Sequence, residues 1–175
     1  MSRGDLFGLA RSGSLVDVFV ASYIWGVGRV GYGPRRLRTI IDSTAGRLNE
    51  MLFRAADAAA KDPIGGYMMF YGGEDPKNRA APNSPPYARI HGLGPAFFTK
   101  FLYFTSSTSL ILDNVLARKV HELSGLPYLV RSGGQSYVWT PYRYAVYLHW
   151  MSQTADTLNC APDELELSLF RMRRA

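Results

Sequence analysis

The chain has 175 residues, with 20 Lys and Arg against 14 Asp and Glu and a formal net charge of +6. That length suits about one domain and is enough to bury a core. The single cysteine, Cys160, excludes an internal disulfide and a cysteine-based metal site, and it reads as a small residue at a helix end. No run approaches the ~18 apolar residues of a membrane span. The start Met1-Ser2-Arg3-Gly4-Asp5 lacks the apolar run of a signal peptide, so a cytoplasmic protein is expected.

The charge is best described by where acids are missing. None occurs from Val18 to Ile41, which holds Arg29, Arg35, Arg36 and Arg38. None occurs from Pro76 to Leu112, which holds Lys77, Arg79, Arg89 and Lys100, or from Leu123 to Ala155, which holds Arg131 and Arg143. This predicts one basic face suited to a polyanionic partner.

Residues 1–13 carry Gly and Arg and are expected to be loosely held. Ser14 with Asp17 forms a capping-box pattern ahead of Leu15–Trp25, which is apolar almost all round and reads as a buried helix. The glycine-rich run from Trp25 to Pro34 reads as a connector whose backbone could approach a ligand closely. From Pro34, the residues Leu37, Ile40, Ile41, Thr44, Leu48, Met51, Leu52, Ala55 and Ala59 recur at helical spacing and predict one long helix, stopped at Asp62-Pro63. Ile64–Tyr71 is a short aromatic core segment, and Gly72–Pro86 a polar loop.

Next comes Arg89-Ile-His-Gly-Leu-Gly-Pro-Ala-Phe-Phe-Thr-Lys100. It predicts a short helix, a tight turn and a second helix opened by Pro95, with Gly92 and Gly94 supplying backbone freedom. Amides freed by such a turn can face a phosphate, much as a helix N-terminus does. On the second helix Phe98, Phe101, Leu102 and Thr105 face the core. Ala96, Lys100 and Tyr103 fall on the opposite arc, so Lys100 is expected to point away from the core. Thr105–Ser109 is a linker. Asp113 is a natural N-cap for a helix running to about Ser124 and ended by Gly125.

Tyr128–Tyr137 reads as irregular. Thr140-Pro141 opens a strong helix with the stripe Tyr144, Tyr147, Leu148, Met151, Ala155 and Leu158, and Pro162 opens the last helix. His121 and His149 lack metal-ligand spacing, so no metal site is expected. No segment alternates at period two. The expected architecture is all-α, a single helical domain over 1–175.

The run Gly92-Leu-Gly-Pro-Ala-Phe-Phe-Thr-Lys-Phe-Leu-Tyr-Phe104, followed by Leu110-Ile-Leu-Asp113, resembles the helix-hairpin-helix DNA glycosylases. The nearest branch is the small bacterial oxoguanine-glycosylase-fold proteins. Trp25-Gly-Val-Gly-Arg29 and the C-terminal Asp163–Phe170 support the resemblance, which spans most of the chain. It implies a helix-hairpin-helix at about 86–105 that grips double-stranded DNA. Arg89, His91, Gly92, Leu93, Gly94 and Ala96 would make the contact, helped in many members by a monovalent cation. It also implies flipping of a modified base into a pocket, for which Trp25, Trp139 and Tyr142 are stacking candidates.

Asp113 would then stabilise the charge that develops on deoxyribose as the base leaves. In lyase-competent members a lysine attacks the sugar and forms a Schiff base. One departure stands out. That lysine commonly lies about two residues after the second glycine, where this chain has Ala96, and the lysine comes one turn later, at Lys100. Lys100 therefore keeps three readings: Schiff-base nucleophile, base-pocket residue and phosphate contact. Without a nucleophilic lysine, Asp113 and an activated water would give a monofunctional glycosylase.

The implied reaction is base excision by a monomer in the nucleoid, on 8-oxoguanine or another modified base. A bulky base such as phage DNA carries would place the fold in defence rather than repair. The alternatives are a non-catalytic helix-hairpin-helix DNA-binding protein and an all-α scaffold with a fortuitous Gly-Leu-Gly turn.

Overall fold

The computed structural model describes residues 1–28, 31, 33–72, 90–127, 129–130 and 139–172. Among them are nine α-helices and no β-strand. The helices are α1 (Arg3–Ser12), α2 (Leu15–Val27), α3 (Gly33–Asp42), α4 (Leu48–Lys61), α5 (Pro63–Tyr71), α6 (Pro95–Thr105), α7 (Asn114–Ser124), α8 (Pro141–Leu158) and α9 (Pro162–Arg171). The fold is all-α, as the sequence predicts.

Local chemistry sets most boundaries. Ser14 and Asp17 form the capping box that opens α2. Asp62 ends α4 and caps α5 by accepting from the amides of Ile64 and Gly65, with Pro63 at the first helical position. Thr140 caps α8 through the Arg143 amide. Along α4 the outward residues form exposed pairs Arg54–Glu50 at 3.0 Å and Lys61–Asp57 at 2.7 Å. Such solvated pairs contribute little to stability.

Three expectations are corrected. Residues 3–12 are not loose: Ser2 and Asp5 form a second capping box, and Leu6 at the middle of α1 is fully buried. The long helix from Pro34 is two helices, because Ala45 and Gly46 both take positive φ (50° and 81°) and break the α path. The apolar period survives that break, which is why it reads as continuous. Leu158, placed in the buried stripe of α8, is exposed at the end of the helix.

Helix α6 is the centre of the molecule. Every residue from Phe98 to Phe104 is buried, and α1, α2, α4 and α5 all contact it. Phe101 meets Phe19 of α2 edge-on, with ring centroids 6.1 Å apart. Phe98 stacks on Phe70 of α5 at 5.4 Å. Phe104 meets Phe7 of α1 at 5.0 Å. A helix packed on all sides has no solvent face, so the arc assigned to Lys100 and Tyr103 is buried too.

Candidate active site

Lys100 is 6% exposed and forms an ion pair with Asp113, Nζ to Oδ2 at 2.9 Å. The expectation that it points away from the core is therefore corrected: the side chain is buried. Its stem passes between helices, and its ammonium donates a second bond to the Ala96 carbonyl at 2.7 Å. The side chain thus reaches back one helical turn. Its charged end lies beside position 96, where the resemblance looked for a lysine. Long side chains on helices lean toward the N-terminus, so a lysine one turn late can still deliver its amine there.

A missing side chain makes room for this path. A Cβ on Gly26 of α2 would stand 2.7 Å from Lys100 Cδ and 3.1 Å from Cε. Only glycine leaves that gap at the α2–α6 contact. Gly26 lies in the Trp-Gly-Val-Gly run, so that run meets the site through the absence of an atom.

Asp113 is the N-cap of α7. Its Oδ1 accepts from the amides of Val115 at 3.0 Å and Leu116 at 3.2 Å, leaving Oδ2 for Lys100. The capping role and the ion pair use different oxygens. The positive end of the α7 dipole also favours negative charge at this position.

The approach to Asp113 is extended chain whose backbone groups are taken by side chains. Tyr144 Oη accepts from the Leu110 amide at 3.2 Å and donates to the Leu110 carbonyl at 2.8 Å. Glu166 accepts from the Ile111 amide at 2.6 Å, and Tyr147 donates to the Ile111 carbonyl at 2.7 Å. Thr99 Oγ1 accepts from the Leu112 amide at 3.1 Å. Burial raises both phenols and the nearby Glu166 carboxylate adds to each: Tyr144 is pushed above the ordinary tyrosine range and Tyr147 well above it. Both are neutral donors at physiological pH.

Glu166 is fully buried and pairs with Arg3 at 2.7 Å, while Arg3 also donates to Tyr103 Oη at 3.0 Å. Burial pushes the Glu166 carboxyl up to about 7, partly offset by the Ile111 amide and the Arg3 guanidinium. This group leaves no mark in the sequence as a set of partners. Glu166 stands in a helix that opens with acids, and Tyr144 and Tyr147 fit an apolar stripe. Nothing in their spacing marks them as partners of residues 110–111.

The turn ahead of α6 has one glycine in the left-handed region, Gly92 at φ 79°. Gly94 has φ −94°, which any residue adopts, so only Gly92 needs glycine's freedom here. Arg36 of α3 holds this turn. Its Nε and Nη2 both donate to the Gly92 carbonyl, at 3.1 and 2.8 Å, and its guanidinium lies 5.1 Å from the Phe97 ring centroid. His91 and Gly92 are exposed, Gly94 and Ala96 half-buried, and Leu93 buried. Arg89 lies outside the described residues, as does the short helix expected before the turn.

The acid-free windows are divided in the same way. Arg35 and Arg38 are exposed on α3, Arg38 within 3.7 Å of Asp42. Lys100 is withdrawn from the surface by its pairing. Arg29, Lys77, Arg79 and Arg131 lie outside the described residues.

The three aromatics proposed for base stacking are not brought together. Trp25 is half-buried, edge-on to Phe104 at 5.6 Å. Trp139 is in the core, its indole N–H donating to the Leu129 carbonyl at 3.1 Å. Tyr142 is 77% exposed and lines an open groove with Ile64, Met68, Thr140, Pro141 and Ala145, a lining that includes neither Lys100 nor Asp113. Among the described residues no group of His, Cys, Asp or Glu could hold a metal ion, and no helix is long and apolar enough to cross a membrane.

Residues 1–170 match the family model described as "Putative 8-oxoguanine DNA glycosylase OGG-like protein". Neither the curated proteins nor the solved structures contain a match to the chain.

Proposed function

The chain belongs to the OGG-like 8-oxoguanine DNA glycosylase family, and on that premise we propose that it excises a modified base from duplex DNA with Lys100 as nucleophile and Asp113 as its partner. The observation that carries this reading is the Lys100–Asp113 pair, with the Lys100 ammonium turned back to Ala96. A buried lysine and aspartate at 2.9 Å are costly to keep unless function or specificity requires them.

In this reading Asp113 Oδ2 takes a proton from the Lys100 ammonium. The freed amine attacks C1′ of the flipped nucleotide. The C1′–N bond breaks, its electron pair leaves with the base, and the base takes up a proton. The nitrogen now bonded to C1′ loses a second proton, and O4′ takes one up as the C1′–O4′ bond breaks and the ring opens. The protonated Schiff base so formed loses a C2′ proton and expels the 3′ phosphate, which nicks the strand. Asp113 also stabilises positive charge on the sugar as the base departs. The turn at His91–Gly94, held by Arg36, grips the phosphate backbone, and the protein works as a monomer.

The monovalent cation belongs to the same proposal. Of the turn's carbonyls, Gly92's is taken by Arg36 and Ile90's accepts from the Leu93 amide. Residues 73–89, which lead into Ile90, lie outside the described ones.

The test is a panel of duplexes carrying 8-oxoguanine, other oxidised or alkylated bases and bulky modified bases. Mass detection identifies the released base, and borohydride traps the enzyme–DNA adduct. Release of 8-oxoguanine with a Lys100-dependent adduct is expected. An adduct that survives Lys100→Ala removes the nucleophile. Preferential release of a bulky base would turn the reading from repair to defence. Salt-sensitive duplex binding without release of any base would leave a non-catalytic DNA-binding protein.

A further inference from the structure

We propose that Glu166, with Tyr147, is a positioning residue of this site: by binding the amide and the carbonyl of Ile111 they fix the chain that presents Asp113 to Lys100. The inference rests on the reading of Lys100 and Asp113 as the reacting pair.

The geometry carries it. Asp113 meets Lys100 only if the extended chain before α7 has one register. That chain has no strand partner among the described residues to set its register. Side chains do so instead, at consecutive residues: Tyr144 at Leu110, Glu166 and Tyr147 at Ile111, and Thr99 at Leu112. Glu166 is the member that also pairs with a cation, Arg3, and it comes from α9, far along the chain. Its oxygens are divided, Oε2 on the Ile111 amide and Oε1 on Arg3.

A fully buried carboxylate is expensive, and an apolar residue there would pack at lower cost. What it supplies is an acceptor for a buried amide and an ion pair that fixes the acceptor's direction. Arg3 in turn bonds Tyr103, one turn beyond Thr99 on α6. Helices α1, α6 and α9 therefore converge on the residues that aim Asp113. Charge-assisted bonds of this kind are shorter and more directional than neutral ones.

The variants are Glu166→Ala, Glu166→Gln and Tyr147→Phe. Glutamine keeps the volume and an acceptor for Ile111 but not the charge, and phenylalanine removes one hydroxyl. Two readouts separate positioning from simple stability. The first is single-turnover borohydride trapping on an abasic-site duplex, beside the duplex Kd and the melting temperature. The second needs no activity: the Lys100 ammonium signal in 15N NMR, which persists only while the group is buried and hydrogen-bonded.

In Glu166→Ala the trapping rate is expected to fall at least about 10-fold, equivalent to 1.36 kcal/mol of barrier, with Kd changed less than about 2-fold. The Lys100 signal should broaden or vanish. Glu166→Gln should recover part of both, and Tyr147→Phe should show a smaller loss of each. Wild-type trapping and an unchanged Lys100 signal in Glu166→Ala would overturn the inference. So would a loss that follows the melting temperature alone in all three variants. If wild-type protein forms no Lys100-dependent adduct, the proposed reaction fails. The NMR readout then decides the positioning role alone, an unchanged Lys100 signal overturning it.

Discussion

Lys100 Nζ lies 2.9 Å from Asp113 Oδ2, and the two residues are 13 apart in sequence, one inside α6 and one at the head of α7. Each also binds backbone: Lys100 the Ala96 carbonyl, Asp113 the Val115 and Leu116 amides. The pair is thus tied to the starts of two helices.

Asp113 has two roles that a substitution can separate. Asn and Ser are good N-caps, so Asp113→Asn and Asp113→Ser should keep α7. Both remove the negative charge beside Lys100. Base release should fall by about 100-fold or more, the scale on which one charge-stabilising group acts. Helix content by circular dichroism should not change. Asp113→Ala loses the cap as well and should cost about 1 kcal/mol further in stability. Wild-type base release by Asp113→Asn would remove the aspartate from the mechanism.

Gly26→Ala tests the route of the Lys100 side chain. The added Cβ would fall 2.7 Å from Lys100 Cδ, and the ammonium is anchored at its far end, so the stem must buckle or α2 must shift. Overpacking of this kind costs about 1–3 kcal/mol. Denaturant unfolding should show that cost in the wild-type background and much less of it in Lys100→Ala, where the stem is gone. Equal costs in both backgrounds would mean that the glycine serves some other contact.

Arg36→Ala should weaken duplex binding while leaving chemistry on bound substrate near wild type. The guanidinium makes two bonds to the Gly92 carbonyl and lies over Phe97. Loss of these should cost about 1–2 kcal/mol, or roughly 5- to 30-fold in Kd. Arg36→Lys should not restore binding fully, because lysine has no planar fork. Fluorescence anisotropy at fixed ionic strength and single-turnover rates at saturation together check both halves.

Stability should depend on pH through Glu166. Its folded value is about 7 against an ordinary 4.5, so between these values the folded state binds more protons than the unfolded state. Stability therefore falls as pH rises across that window and is level for this group above it. The shift corresponds to an effect of about 3 kcal/mol at most, at 1.36 kcal/mol per pH unit. Chemical denaturation from pH 4.5 to 7.5 should show the decline in wild type, and Glu166→Gln should flatten it. A wild-type slope retained in that variant would assign it to another group.

The site was partly legible in the sequence. Asp113 as N-cap and Pro95 as helix opener follow from local chemistry, which acts within one turn and leaves its mark on neighbouring residues. The family also shows in the Gly-Leu-Gly turn and the aspartate that follows it. Lys100 was visible as a residue but not as a contact. Helical periodicity gives the direction of a side chain and not what stands opposite, and α2 and α1 close over the arc that looked open. The break at Ala45–Gly46 was hidden because the apolar spacing on either side stays in phase.

By itself, the sequence determined the all-α class, most helix ends and the cap that holds Asp113, because caps, prolines and apolar period act between neighbours. Tertiary structure alone decided that Lys100 is buried, that Gly26 makes room for it, and that Arg3, Glu166, Tyr144 and Tyr147 hold the chain before Asp113. Those contacts join residues far apart in the chain, Glu166 lying 55 positions from Ile111 and 163 from Arg3. Only the packing of helices from opposite ends of the chain, α8 and α7 against α9 and α1 against α6, brings them together.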